Sequence, residues 1–287
     1  MTKPTAQAPA YQRITVGDAV VTAVADGHFT FDHTVLANVT ADEFAEALDA
    51  AFLPKGPYPT PVNAFVVHTG GKTVLIDSGA TTAMAATAGR TRANLAAAGV
   101  DAADVDLILI THLHPDHVGG ITADGAAVFP NAELVVRAEE LAFWTDPALP
   151  DAAKATAENA KAAIAPYAGN TTPLASDGSV ATGIDSMFLP GHTPGHTGYR
   201  IHSGGEQLII WGDIAHMAPV QLPDPGRYMA FDVVPEQAVA TRRKILDEVA
   251  TDRLLVAGMH LPFPAFSHIE RAGAGYRLVR KDWQYSL

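Results

Sequence analysis

Residues 105–120 read VDLILITHLHPDHVGG, a near-continuous apolar run that breaks directly into three histidines and an aspartate within six residues. A run of that kind is the pattern of a buried strand, so the histidines sit on the loop that leaves it. Strand alternation puts His112 and His114 on one side, and the turn at Pro115 lets Asp116 and His117 face a neighbouring point. Burying four such groups together without a cation would strand polar atoms in an apolar interior. Imidazole and carboxylate suit zinc, manganese or iron, and two adjacent clusters suit a dinuclear centre. The 287 residues include no cysteine, which excludes disulfides, thiolate nucleophiles, iron–sulfur clusters and Cys-ligated zinc. Any transition-metal site must therefore be built from the twelve histidines and from carboxylates.

Around this loop the chain alternates apolar segments with helical ones. Strands are predicted over Arg13–Val16 and Ala19–Ala25, then over Phe65–His68 and Thr73–Asp77 with a Gly70-Gly71 hairpin turn. A helix over Asp42–Phe52 has Thr40 as its N-cap, and the proline-rich stretch Leu53–Pro61 reads as a loop. Further helices are predicted over Arg90–Ala98, Ala138–Trp144, Asp151–Ala165 and Glu236–Ala250. Strands are predicted over Leu134–Arg137, Ser186–Leu189, Tyr199–His202, Gln207–Trp211 and Leu254–Ala257. Neither an internal repeat nor a linker composition interrupts this order, so two sheets with helices outside, in one domain over residues 12–287, is the expected architecture. Residues 1–11 are expected to be a disordered N-terminal segment.

Charge and hydropathy narrow the partners. Nineteen basic residues against 31 acidic ones give a net −12, which repels phosphate backbones. The densest basic cluster is only Arg242, Arg243 and Lys244, so nucleic acid is not an expected partner. No apolar run approaches the ~18–20 residues that cross a bilayer, and no membrane partner is expected. The first ten residues lack the apolar region of a secretory signal, which predicts a cytoplasmic location.

Five motifs in order carry a family resemblance: Leu75-Ile76-Asp77-Ser78-Gly79, His112-x-His114-x-Asp116-His117, Leu189-Pro190-Gly191-His192-Thr193-Pro194-Gly195-His196-Thr197, Trp211-Gly212-Asp213, and Gly258-Met259-His260. With them the chain, from about Ile14 onward, resembles the metallo-β-lactamase superfamily of dinuclear hydrolases. The resemblance implies an α/β fold, an αββα sandwich of two mixed β-sheets flanked by helices. It implies two divalent metal ions per chain, zinc first, with manganese, cobalt or iron as alternatives. His112, His114 and His192 would hold the first ion; Asp116, His117 and His260 would hold the second; Asp213 would bridge both. His196 would support the site from outside, as would Asp77, which resembles the family's outer carboxylate that orients a ligating histidine.

Single residues then sort the branches. Glutamate would stand at His114 in the diiron electron-transfer branch, and the all-histidine β-lactamases lack the carboxylate that Asp213 resembles. The RNA-processing branch needs a basic surface. Glyoxalase II and the glutathione-persulfide dioxygenases keep similar ligands, but here only scattered Arg271, Arg277, Arg280 and Lys281 stand near the C-terminus. The chain is most similar to the methyl parathion hydrolase group and its lactonase relatives, through Thr111–Gly120, Phe129–Ala132, Glu139–Trp144, Gly191–Thr197, Ala218–Phe231 and the tail from His260 to Tyr276. That resemblance implies a hydrolase using a bridging hydroxide to open a lactone or cleave an aryl ester. Phosphotriester hydrolysis is the first alternative, and a persulfide dioxygenase or glyoxalase II-like enzyme the more distant one. Catalytic roles fall to Asp116, Asp213 and His216, and substrate contacts to Met84, Trp144, His216 and Phe231. His216 stands where acyl-homoserine-lactone lactonases carry a tyrosine, and Met84 replaces part of the aromatic cluster of phosphotriester-hydrolysing members. The expected partner is a small-molecule ester, lactone or phosphotriester, and the resemblance suggests a homodimer.

Overall fold

The central strands are apolar on both faces, so they must be covered on both sides. In the computed structural model, which describes residues 7, 8 and 10–287, two seven-stranded sheets meet this requirement by stacking on each other with helices outside. The first sheet is built from β1 (Tyr11–Val16), β2 (Ala19–Phe31), β3 (Tyr58–Thr69), β4 (Lys72–Ile76), β5 (Leu107–Leu109), β8 (Glu133–Arg137) and β9 (Thr171–Leu174), in that spatial order. A small hairpin of β6 (Thr122–Ala123) and β7 (Ala126–Ala127) stands apart from it. The second sheet runs β10 (Gly178–Ala181), β11 (Ile184–Phe188), β12 (Thr197–Ser203), β13 (Glu206–Ile210), β14 (Leu255–Ala257), β15 (Ser267–Ala272) and β16 (Gly275–Arg280). Both are mixed: β4, β5, β8 and β9 are parallel, as are β13 and β14, and the remaining pairs are antiparallel.

Alternation assigns the side chains to layers. Val74, Ile76, Leu107 and Leu109 point into the core between the sheets, where they join Ile201, Leu208, Ile210 and Val256. The intervening Leu75, Ile108 and Ile110 point outward to a second cluster with Leu95, Trp144, Ala157 and Ala160. Those outer residues come from α2 (Thr91–Ala97), α4 (Ala138–Thr145) and α5 (Asp151–Ile164), while α7 (Pro235–Thr251) packs beside the second sheet. Short helices α3 (Pro115–Val118) and α6 (Ala218–Gln221) belong to the loops at one edge of the sandwich. There α1 (Ala41–Ala50) packs Phe44 and Leu48 with Met217, Val220 and Met229 in a third cluster. The capping box expected at Thr40 is complete, with reciprocal bonds between Thr40 and Glu43.

Two expectations change. The stretch Leu53–Pro61 is a loop only as far as residue 57, because β3 begins at Tyr58 and pairs Pro59 with Thr30 and Pro61 with His28. Proline is tolerated there because β4 pairs with β3 only from Phe65 onward, so the missing N–H groups face no partner strand. The segment 1–11 falls mostly outside the described residues, and its last member, Tyr11, opens β1 opposite Val24. Among the described residues no helix is long and apolar enough to cross a membrane.

Candidate metal centre

Strand direction brings the histidine loops together. The second sheet's β11, β13 and β14 point the same way, so the loops that follow them open on one edge. From those loops come His192, then Asp213 with His216, then His260; the loop leaving β5 brings His112 to His117 against them. Gly212 makes the approach possible. Its φ is +59°, and a Cβ there would lie 2.4 Å from His196 Nε2. His196 in turn accepts the Asp213 N–H at 2.8 Å and donates from Nδ1 to the Leu189 carbonyl at 2.7 Å. It therefore fixes the backbone of Asp213 from outside the cluster.

One carboxylate oxygen lies at the centre. Asp213 Oδ2 is 3.5 Å from His112 Nε2, 3.3 Å from the Nε2 atoms of His117, His192 and His260, and 3.0 Å from His216 Nε2. His192 Nε2 is 3.2 Å from His112 Nε2 and 3.0 Å from His114 Nδ1. Asp116 Oδ2 stands 3.6 Å from His117 Nε2 and 3.5 Å from His260 Nε2. Donor atoms group within 4.8 Å of one another as His112, His114, His192 and Asp213, and as Asp116, His117 and His260. All seven expected ligands are thus brought together. A third grouping, Asp213 with His216 and His260, overlaps the second, so His216 lies closer to the donor cluster than a substrate contact requires.

The supporting bonds aim each ring. His117 Nδ1 is 2.6 Å from Asp77 Oδ2, and Asp77 also accepts from the Thr111 N–H at 2.8 Å and the Thr111 hydroxyl at 2.7 Å. His112 Nδ1 lies 3.1 Å from that same hydroxyl. His192 Nδ1 is 2.7 Å from Asp232 Oδ1, and His260 Nδ1 is 2.7 Å from the Pro61 carbonyl. Such partners keep the proton on Nδ1 and leave the Nε2 lone pair facing inward, as a ligating imidazole needs. Asp232 has no signal in the sequence; nothing around Phe231-Asp232-Val233 marks a partner for His192 40 residues away.

The electrostatics suit a cation-binding centre. Burial, reinforced by neighbouring imidazoles, pushes His112 and His114 well below their usual range, into the neutral form that binds metal. Burial opposes charge on His192 as well, but Asp213 and Asp232 outweigh it and raise that ring to about 9. His117 and His260 are raised for the same reason, by Asp213 and Asp116 against burial. Asp213 is held well below the carboxylate range, because the surrounding histidines overcome its burial. Buried atoms without a hydrogen-bond partner include His117 Nε2, His260 Nε2, both nitrogens of His216 and Asp213 Oδ1. Orphaned donors and acceptors of this density are rare in folded proteins. Nitrogen and oxygen donors so placed fit divalent metal ions.

His114, Asp116, Asp213 and His260 of the cluster line a cavity of about 400 Å³. Its walls include Phe29, Phe31, Met84 and Phe231, with Thr156, Asp116 and His216 as polar positions. Phe29 and Phe31 stack at 5.7 Å between ring centroids, Phe231 lies 6.5 Å from Phe31, and His216 lies 5.3 Å from Phe231. Phe29 and Phe31 are absent from the sequence-based expectation. Alternation in an unusually long strand, β2, is the signal that could have found them, since both belong to one face. Trp144 is not a wall. It is 3% exposed, donates its indole N–H to Glu140 and packs edge-on behind His114 at 5.4 Å.

The family model Lactamase_B, described as the metallo-beta-lactamase superfamily, matches residues 57–269. The chain is similar to the N-acyl homoserine lactonase AiiA of Bacillus thuringiensis subsp. kurstaki, 26% identical over 158 residues, covering 55% of this chain and 56% of that protein. An N-acyl homoserine lactonase of Bacillus sp is 32% identical over 158 residues, with the same coverage. The chain thus spans about half the length of the curated relatives it matches. Among solved structures, the hydrolase AbOPH in the beta lactamase superfamily superposes with a TM-score of 0.90 at 35% identity, over 97% of this chain and 100% of that one. AidC, a dizinc quorum-quenching lactonase, has the same fold, with a TM-score of 0.90 at 23% identity over 96% of this chain and 98% of its own.

Proposed function

This chain belongs to the metallo-beta-lactamase superfamily, and from that premise we propose that it is a dinuclear metal-dependent hydrolase of lactones and aryl esters. The observation that carries the reading is the convergence of His112, His114, His117, His192, His260, Asp116 and Asp213 beneath an apolar, aromatic-walled cavity. His112, His114 and His192 would hold one ion, Asp116, His117 and His260 the other, with Asp213 shared between them. Divalent cations there would supply Lewis acidity toward a water and toward the carbonyl or phosphoryl oxygen of a substrate.

The remaining work belongs to side chains. Phe29, Phe31 and Phe231 remove the acyl or aryl part of the substrate from water, worth about 1.5–3 kcal/mol for a group the size of a phenylalanine side chain. Burial draws His216 down to about 4, so its ring is neutral at pH 7 and carries one N–H. His216 is among the residues lining the cavity, and a neutral ring there would donate a hydrogen bond to the substrate oxygen. Asp116 has 14% of its side chain exposed and lines the cavity. We assign it the proton relay: it would take the proton released as water attacks and pass it to the departing alkoxide or phenoxide. The lactonase relatives support a lactone as the substrate class.

A second reading rests on a separate observation. The stacked Phe29 and Phe31 beside Phe231 supply the aromatic cluster that Met84 alone would not, and they suit the aryl leaving group of a phosphotriester. Initial rates of zinc-loaded protein on dihydrocoumarin, beside a dimethyl aryl phosphotriester, decide between them. A much faster lactone supports the first reading. A phosphotriester hydrolysed at an equal or higher rate overturns it in favour of the second, and turnover of neither removes both.

A further inference from the structure

Glu140 on α4 is fully buried, and no basic side chain pairs with it among the described residues. Its Oε1 accepts the Leu113 N–H at 2.9 Å and the Trp144 indole N–H at 2.7 Å. Its Oε2 accepts the Thr193 hydroxyl at 2.7 Å and the Gly195 N–H at 2.9 Å. Leu113 stands between His112 and His114, and Thr193 follows His192. A single carboxylate therefore joins the two loops that carry all three histidines of one metal group. The joint is close: a Cβ at Gly195 would lie 2.3 Å from the Glu140 nitrogen. Trp144, held by the same carboxylate, braces the back of the His114 ring.

We propose that Glu140 is the positioning residue of the His112–His114–His192 site, stapling its two loops at ligating distance. The proposal rests on the reading of the cluster as a metal centre. Asp77 and Asp232 each orient one imidazole, whereas Glu140 sets the distance between loops and bonds to no histidine nitrogen. Four donors saturate it, so glutamine is not a neutral replacement. Whichever way the amide turns, its NH2 faces either the Leu113 and Trp144 donors or the Gly195 N–H, and the loop on that side is pushed away.

The test is the zinc content of purified protein equilibrated against buffers of fixed free zinc, measured by elemental analysis. Supporting-carboxylate changes typically weaken metal binding 10–100-fold. Glu140→Gln is expected to lose one equivalent at free zinc that keeps wild type at two, with that site's affinity lowered about 10–100-fold. Adding His112→Ala to it should change nothing further, while adding His260→Ala should leave no metal. Trp144→Phe removes one donor of four and should show a smaller loss at the same site, which keeps the proposal testable if the glutamine variant fails to fold. Two equivalents held at wild-type affinity, or equal weakening of both sites, would overturn the proposal. Wild-type protein that held no zinc would instead overturn the metal centre on which it depends.

Discussion

Replacing Asp77 with asparagine tests whether the inward-facing lone pairs are set from behind. The Thr111 N–H can only donate, so the amide oxygen must take the place of Oδ1, 2.8 Å away. The NH2 then occupies the place of Oδ2, 2.6 Å from His117 Nδ1. Two donors cannot meet at that distance, so His117 must move its proton to Nε2, the nitrogen grouped with Asp116 and His260. A protonated Nε2 cannot ligate. Every atom involved is buried, so water does not relieve the conflict. The cost to the Asp116–His117–His260 site should be about 10–100-fold in metal affinity, equivalent to about 1.4–2.7 kcal/mol. Equilibrium dialysis against buffered free zinc, with circular dichroism to verify the fold, reads it directly. Asp77→Asn protein that bound its second zinc as tightly as wild type would refute the tautomer argument.

Other consequences are equally concrete. Gly212→Ala sets a methyl group against His196 Nε2 at a positive φ, so Asp213 should lose its backbone anchor, and lactone turnover should fall at least tenfold with stability reduced by about 1–3 kcal/mol. Phe31→Ala opens the cavity wall; KM for an aryl substrate should rise roughly tenfold while a small aliphatic lactone is little affected, as steady-state kinetics would show. Thr40→Ala removes the capping box of α1 and should lower stability to urea by about 0.5–2 kcal/mol without changing zinc content. Chelation of the metals should lower the thermal midpoint, because ring nitrogens that a cation would satisfy are left buried and unpaired, and added zinc should restore it.

The sequence exposed the parts of the site that are contiguous. His112, His114, Asp116 and His117 announce themselves because four ligand-type residues follow one buried strand, whereas Asp213 came from the resemblance of Trp211-Gly212-Asp213 to a family motif. Two supporting carboxylates that act across the fold gave no signal of their role. Asp232 reaches His192 from a loop with no motif, and Glu140 is one of two adjacent glutamates on an ordinary-looking helix. Phe29 and Phe31 lie beyond the predicted end of β2, because a strand of 13 residues exceeds what its early alternation suggests. Trp144 was misplaced for a related reason: an aromatic residue near a site cannot be assigned to its wall or its backing without knowing which way the helix faces. The prolines before residue 62 looked like loop punctuation, since only topology reveals that no strand pairs with that side of β3.

The central claim is that two cations, shared through Asp213, act together on one substrate. Titrating zinc into chelator-treated protein while following dihydrocoumarin hydrolysis tests it most directly. The account predicts that activity reaches its plateau only when two equivalents per chain are bound, and that Asp213→Ala protein stays at least 100-fold below that plateau. Full activity at one equivalent, or wild-type turnover by the Asp213→Ala variant, would contradict it.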